Sequence, residues 1–229
     1  MEIWLDTIDM EHIQEAAALG ILHGVTTNPS IIAQGSQPIH AVLKGLLEVQ
    51  SGPIAVQVVA QDADGMVGQA CALYAYSKRT IIKLPITLEG LKAMHALSKK
   101  NIPTMATALF NLSQALFAAR AGAHYIAPYF AKIAETGQDP CRVLHSIMHM
   151  YDKYDFPTKV LAAALRNPEQ VLECIAIGIH AVTIKEEVYH MFVQDNPSTR
   201  QHVEKFQSDW QQTSSQVRSF SLQDYTNIW

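Results

Sequence analysis

Lys83 sits inside the run Ile81-Ile82-Lys83-Leu84-Pro85, one amine among apolar neighbours. An ammonium in apolar surroundings carries a large desolvation cost, so such a lysine tends to shed its proton. An uncharged amine is a nucleophile, and its characteristic covalent chemistry is addition to a carbonyl to form a Schiff base. The same window also reads as a strand lysine whose stem runs to solvent, or one that guards a sheet edge. What else the chain brings near this amine decides between the two.

The elements that must position it alternate regularly. Short β-rich stretches recur at Glu2–Leu5, Gly24–Thr27, Ile54–Val59, Thr80–Leu84, Pro103–Ala108, His124–Ala127, Thr158–Ala162 and Ala181–Ile184, with amphipathic stretches between them. Helix starts are marked by their capping chemistry. Asn111 with Gln114 opens "NLSQALFAARAG", which Gly122 closes, and Asn167-Pro168-Glu169-Gln170 opens another. Thr87 ahead of Glu89 opens the helix after the lysine strand. Strands too apolar to have a wet face, each followed by a helix, argue for a parallel sheet. At 229 residues the pattern predicts an α/β fold, a (β/α)8 TIM barrel with an extra C-terminal helix. An open doubly wound sheet is the alternative, because counting strands does not prove closure. The barrel is expected over residues 1–194. Residues 195–229 are expected to form a helix to about Gln212 and a tail with Phe220, Tyr225 and Trp229. That segment would pack on its own barrel or on a neighbouring subunit.

Reacting groups in such a barrel come from the C-terminal ends of the strands. There the sequence puts Asp6, the run Thr26-Thr27-Asn28-Pro29-Ser30, Gln57, Lys83, Thr107 and Tyr129, then Ala164 with Arg166, and finally Lys185. An amine, a carboxylate, amides, a hydroxyl and a phenol without a thiol or a Ser–His pair suit carbonyl chemistry through a Schiff base. Each residue also has a plainer reading. Asp6 with Thr7 could cap the helix from Asp9, and Asn28 before Pro29 could be turn chemistry. Tyr129 could pack, and Lys132, Arg166 and Lys185 could be solvated charges, the last paired with Glu186 or Glu187. Gln57 between Val56 and Val58 is harder to set aside, since a polar side chain in a strand core needs partners.

Composition narrows the classes. Hydrophobic residues make up 48% and charged residues 17%, with a net charge of −4 and no basic cluster, so nucleic acid is not an expected partner. No apolar run approaches a bilayer span, and the acidic start "MEIWLDTIDMEH" is unlike a signal peptide, so a cytoplasmic protein without membrane contact is expected. Cys71, Cys141 and Cys174 are widely spaced and read as reduced core thiols. His145 and His149 share a helix face but offer only two ligands, so no metal site and no cofactor are expected.

The stretches "LDT" (5–7), "GVTTNPSIIAQG" (24–35), "AVQVVA" (55–60), "IIKLPITLEGLKAM" (81–94), "TATALFNLSQAL" (104–116), "AHYIAPYFAKI" (123–133) and "VLAAALRNPEQVLECIAIG" (160–178) together resemble the transaldolase family. Within it the resemblance is to the small fructose-6-phosphate aldolase and transaldolase-like branch, and it spans about residues 1 to 210. It implies Lys83 as the Schiff-base lysine and Asp6 as the acid handling the C4 hydroxyl proton. It implies Asn28 and Thr26 as holders of substrate hydroxyls, and Gln57, Thr107 and Tyr129 as the trio around a catalytic water. Transaldolases carry Glu and Phe where this chain has Gln57 and Tyr129, so the resemblance implies cleavage of fructose 6-phosphate to dihydroxyacetone and glyceraldehyde 3-phosphate. Transfer of dihydroxyacetone between sugar phosphates is the alternative, and a catalytically silent sugar-phosphate-binding barrel is a third reading. The chain departs from the family at the phosphate end. Lys132 replaces Arg, Ala164 replaces Ser, and Lys185 stands where neutral residues are usual, while Arg166 and the helix start at Asn167 remain. Weaker phosphate binding or a different acceptor is therefore expected, with Lys185 as a replacement cation. The family's small members also imply a homo-oligomer, a decamer or pentamer, joined through the C-terminal helix.

Overall fold

The computed structural model describes residues 1–213. Their contacts divide the chain into two units, Met1–Phe192 and Val193–Trp229. The first unit is a closed barrel of parallel strands in chain order, β1-β2-β3-β4-β5-β6-β7-β8. The strands are β1 Glu2–Asp6, β2 Leu22–Thr26, β3 Ile54–Gln57, β4 Thr80–Pro85, β5 Thr104–Leu109, β6 Tyr125–Pro128, β7 Lys159–Ala162 and β8 Ala181–Ile184. Between and after them run α1 Met10–Ala18, α2 Pro29–Gln34, α3 Ile39–Val49, α4 Ala63–Tyr76, α5 Leu88–Ser98, α6 Leu112–Arg120, α7 Phe130–Glu135, α8 Pro140–Lys153, α9 Pro168–Ile177 and α10 Glu186–Val193. The open-sheet alternative is excluded by the pairing of β1 with both β2 and β8.

Strand periodicity of two sorts the side chains. Leu5, Val25, Ile54, Val56, Ile82, Leu84, Ala106, Ile126, Val160, Ala162, Val182 and Ile184 face the helices and join one large core. Trp4, Ala55, Ile81, Met105, Tyr125, Ala127, Leu161, Ala163 and Ala181 form a second, inner core. In β2 the inward position is Gly24, where a Cβ would lie 2.6 Å from the Pro53 carbonyl oxygen and 2.8 Å from the Trp4 ring. The indole occupies the space that any side chain there would need.

Helix starts follow the expected chemistry. Asn111 accepts from the Gln114 N–H, Asn167 from the Gln170 N–H, and Thr87 from the Gly90 N–H. Boundaries shift slightly at β2 and β3, which end at Thr26 and Gln57 rather than at Thr27 and Val59. After Thr26 the chain turns into the N-cap of α2, and after Gln57 the Val59 and Ala60 N–H groups bond the Gln69 side chain instead of a strand.

In the second unit, α11 Pro197–Gln212 is capped by Asn196, and its Val203, Phe206 and Trp210 share one stripe by helical spacing. The aromatic residues Phe220, Tyr225 and Trp229 lie outside the described residues.

Candidate active site

Five of the candidate residues lie two positions beyond an inner-core residue. Thus Asp6 follows Trp4, Gln57 follows Ala55, Lys83 follows Ile81, Thr107 follows Met105, and Tyr129 follows Ala127. The pleat therefore turns these side chains toward the barrel axis, one layer above the apolar plug.

Lys83 pairs in register with Gln57 on one side and Met105 on the other. It is 5% exposed, and its Nζ donates to the Thr27 carbonyl at 2.8 Å. Burial pushes the Lys83 amine well below its ordinary range, and the negative charge of Asp6 restores only part of the loss. The amine does not run out to solvent or guard an edge. Its acceptor is itself pinned, because the Thr27 N–H and hydroxyl both donate to the Ala55 carbonyl, at 2.9 and 3.0 Å.

Asp6 is held from the side. Thr26, its register partner, donates its hydroxyl to Oδ1 at 2.6 Å. With that proton committed, the Thr183 hydroxyl, 2.7 Å from Thr26, must be the donor to Thr26. The capping reading of Asp6 does not apply, since Asp9 caps α1 and the Thr7 hydroxyl accepts from the Asp9 N–H. Thr183 was not read as a site residue from the sequence. Its signal was available, because it lies two positions past the inner residue Ala181 and is the inward polar residue of β8.

Thr107 and Tyr129 form a second pair, their hydroxyl oxygens 2.8 Å apart. Tyr129 is fixed by a bond from its N–H to Leu109 O and a parallel bridge to Ala163, and Phe110 meets its ring edge-on at 6.0 Å. The register of β5 against β6 shifts between Ala106 and Leu109, and Ala108 takes φ of 58°. Ala164, at the end of β7, takes φ of 57°. Left-handed alanines carry strain of about 1–3 kcal/mol, and these two lie at the strand ends that bear the rim.

Asn28 is half-buried and uses its side-chain oxygen to cap α2, leaving its amide nitrogen free of described partners. Gln57 was expected inside a strand core. It instead ends β3 and faces a cavity of about 580 Å³ beside Pro29 and Pro85, so its amide is reachable. Asp6 faces a second cavity of about 320 Å³, together with Lys185, Ile31 and Glu186. Lys185 is exposed and makes no ion pair with any described residue, so the expected pairing with Glu186 or Glu187 does not form. Glu186 is engaged instead by the Thr7 hydroxyl and by His12.

Lys132 and Arg166 are exposed, and both bond the same carboxylate, Glu135. The start of α9 is closed by its own residues: the Arg166 N–H donates to Gln170 Oε1 and the Gln170 N–H to Asn167 Oδ1. Among the described residues, one group of metal-ligand types gathers, Asp9, His12 and Glu186, with ligand atoms within 4.8 Å of one another. There His12 already pairs with Glu186 at 3.3 Å and Asp9 at 3.5 Å.

The family model described as transaldolase/fructose-6-phosphate aldolase matches residues 3–225. A "probable transaldolase" of Thermoanaerobacter sp. (strain X514) is 36% identical over 217 residues, covering 95% of this chain and 100% of that protein. A "probable transaldolase" of Anaeromyxobacter sp. (strain Fw109-5) is 38% identical over 211 residues, covering 92% and 98%. Among solved structures, a flavocytochrome b2 mutant with benzoylformate aligns with a TM-score of 0.56 at 10% identity, over 80% of this chain and 56% of that one. That likeness concerns the fold alone.

Proposed function

The chain belongs to the transaldolase/fructose-6-phosphate aldolase family, and on that premise we propose a class I aldolase. It would cleave fructose 6-phosphate, or a closely related ketose, into free dihydroxyacetone and an aldehyde through a Schiff base on Lys83. The observation that carries the reading is the buried amine, stripped of solvent and aimed into the barrel beside Asp6. A neutral amine at neutral pH is what attack on a ketone requires.

In the proposed cycle the Lys83 nitrogen adds to the C2 carbonyl, and water leaves to give an iminium. The C3–C4 bond then breaks, its electron pair moves into the iminium, and the C4 hydroxyl proton passes to Asp6. The aldehyde departs and leaves an enamine. Tyr129, hydrogen-bonded to Thr107, directs a water that returns a proton to C3, and Gln57 completes the cage for that water. The same water then hydrolyses the iminium, releasing dihydroxyacetone and the free amine. Asn28 offers its amide nitrogen to a substrate hydroxyl, while Thr26 acts through Asp6. Lys132, Arg166 and Lys185 are the cations on the rim, the first two already paired with Glu135. No helix among the described residues is long and apolar enough to cross a membrane. The stripe on α11 would join copies of the chain into a pentamer or decamer.

A second reading is favoured by the name "probable transaldolase" on the relatives, that of an enzyme handing dihydroxyacetone to another sugar phosphate. Purified protein with fructose 6-phosphate alone separates the two. Free dihydroxyacetone is expected; product formed only after erythrose 4-phosphate is added would overturn the aldolase assignment. Borohydride with dihydroxyacetone should leave a stable adduct that Lys83→Met abolishes and Lys185→Met retains. A silent barrel would leave none.

A further inference from the structure

The loops after the seventh and eighth strands of such a barrel are a common seat for phosphate. Here the cationic edge nearest β7 is already occupied. Glu135, the last residue of α7, accepts from Lys132 Nζ at 2.9 Å and from Arg166 Nη2. At the helix start beside it, two of the main-chain N–H groups are committed as well. The Arg166 and Gln170 N–H groups are used within the α9 cap, Pro168 has none, and Glu169 adds a negative charge to the first turn. Ala164 contributes no hydroxyl. A phosphate arriving here must displace Glu135 from both cations or bind beside it against like-charge repulsion.

We propose that Glu135 is an acceptor-specificity residue, a built-in carboxylate that competes with substrate phosphate for Lys132 and Arg166 and so favours uncharged polyol aldehydes over their phosphate esters. This rests on the aldolase reading above and names the substrate class its site prefers. Lys132, Arg166 and Glu135 are 49%, 58% and 46% exposed, so the cluster sits in water and can open. The competition therefore shifts preference without excluding phosphate. Hydrogen bonds from Lys132 and then Arg166 hold the Glu135 carboxyl below its ordinary range, so its charge persists across neutral pH.

The test compares dihydroxyacetone addition to glyceraldehyde and to glyceraldehyde 3-phosphate in wild type, Glu135→Gln and Glu135→Ala. The kcat/KM ratio, phosphorylated over unphosphorylated, is expected to rise about five-fold in both variants, through KM for the ester. Titration calorimetry with inorganic phosphate should show a matching gain in affinity that disappears when Arg166→Met is added. An unchanged or lowered ratio, or unchanged phosphate affinity, overturns the proposal and makes Glu135 a residue that merely positions the two cations. Borohydride trapping of dihydroxyacetone on Lys83 in the same preparations reports the aldolase reading separately. If no adduct forms, that reading falls and phosphate affinity alone decides the role of Glu135.

Discussion

The Lys83 amine donates to the main-chain carbonyl of Thr27 at 2.8 Å, across two strands of the barrel. A carbonyl oxygen orients an amine without bringing a full negative charge, so the bond aims Lys83 and leaves desolvation to govern its proton.

Lys83→Met should abolish cleavage while leaving the fold as stable as before, or more so. A lysine with a lowered pKa in the folded state releases its proton more readily than it does in the unfolded chain. Between the lowered folded value and the ordinary 10.5 the unfolded chain therefore binds more protons, and wild-type stability rises with pH across that window. The advantage of the Met variant should be largest in acid and shrink as pH climbs. Melting curves across pH check this, and the opposite trend would mean that the site holds an ammonium. For the same reason, wild-type kcat/KM should level off well below pH 10.5.

Tyr129→Phe should reduce release of free dihydroxyacetone by about 10²-fold, the lower range for loss of a general acid–base group. Transfer between sugars should fall less, because the enamine can still be captured by an aldehyde. Equal loss of both activities would remove the special role assigned to the phenol.

Thr183→Val takes away the proton that Thr183 gives Thr26, and with it the outer link of the chain reaching Asp6. A loss of about 1 kcal/mol is expected, or roughly five-fold in kcat, with Thr183→Ser restoring most of it. Failure of serine to rescue would mean that the threonine methyl matters and the hydrogen bond does not.

At the opposite end of the barrel, Glu2 accepts from Trp4, Tyr125 and Lys159, with His23 at 3.6 Å. Burial alone would raise the carboxyl, but the bonds from Lys159, Trp4 and Tyr125 together with His23 bring it below its ordinary 4.5. A lowered carboxyl stabilises the fold above that value and loses the effect as pH falls through the folded one. Glu2→Gln should therefore cost about 1–3 kcal/mol at pH 7 and almost nothing in strong acid, as read from melts at both.

Gly90 lets α5 start against the strand that bears Lys83. A Cβ there would lie 1.9 Å from the Pro85 carbonyl oxygen, which is main chain and cannot swing aside. Gly90→Ala should cost about 1–3 kcal/mol and lower kcat together with Tm. An unchanged Tm would show that the loop yields.

Local order determined what could be read directly. Short β-rich runs, a capping residue ahead of a helix and an amine among apolar neighbours are properties of adjacent residues, so the eight strands, the Asn111 and Asn167 caps and the candidacy of Lys83 were legible in the chain. Whether that amine faced inward could be inferred only once Ile81 was known to line the barrel. Partners distant in sequence were not legible. Thr183 reaches Thr26 across 157 residues, Lys159 reaches Glu2 across 157, and Arg166 reaches Glu135 across 31. The sequence by itself decided which residues could do chemistry and which strand end each would occupy, because side-chain type and alternation are local. Only the closed barrel decided which carboxylate meets which cation and which hydroxyl gives its proton to which, because β1 meets β8 nowhere along the chain, only in space.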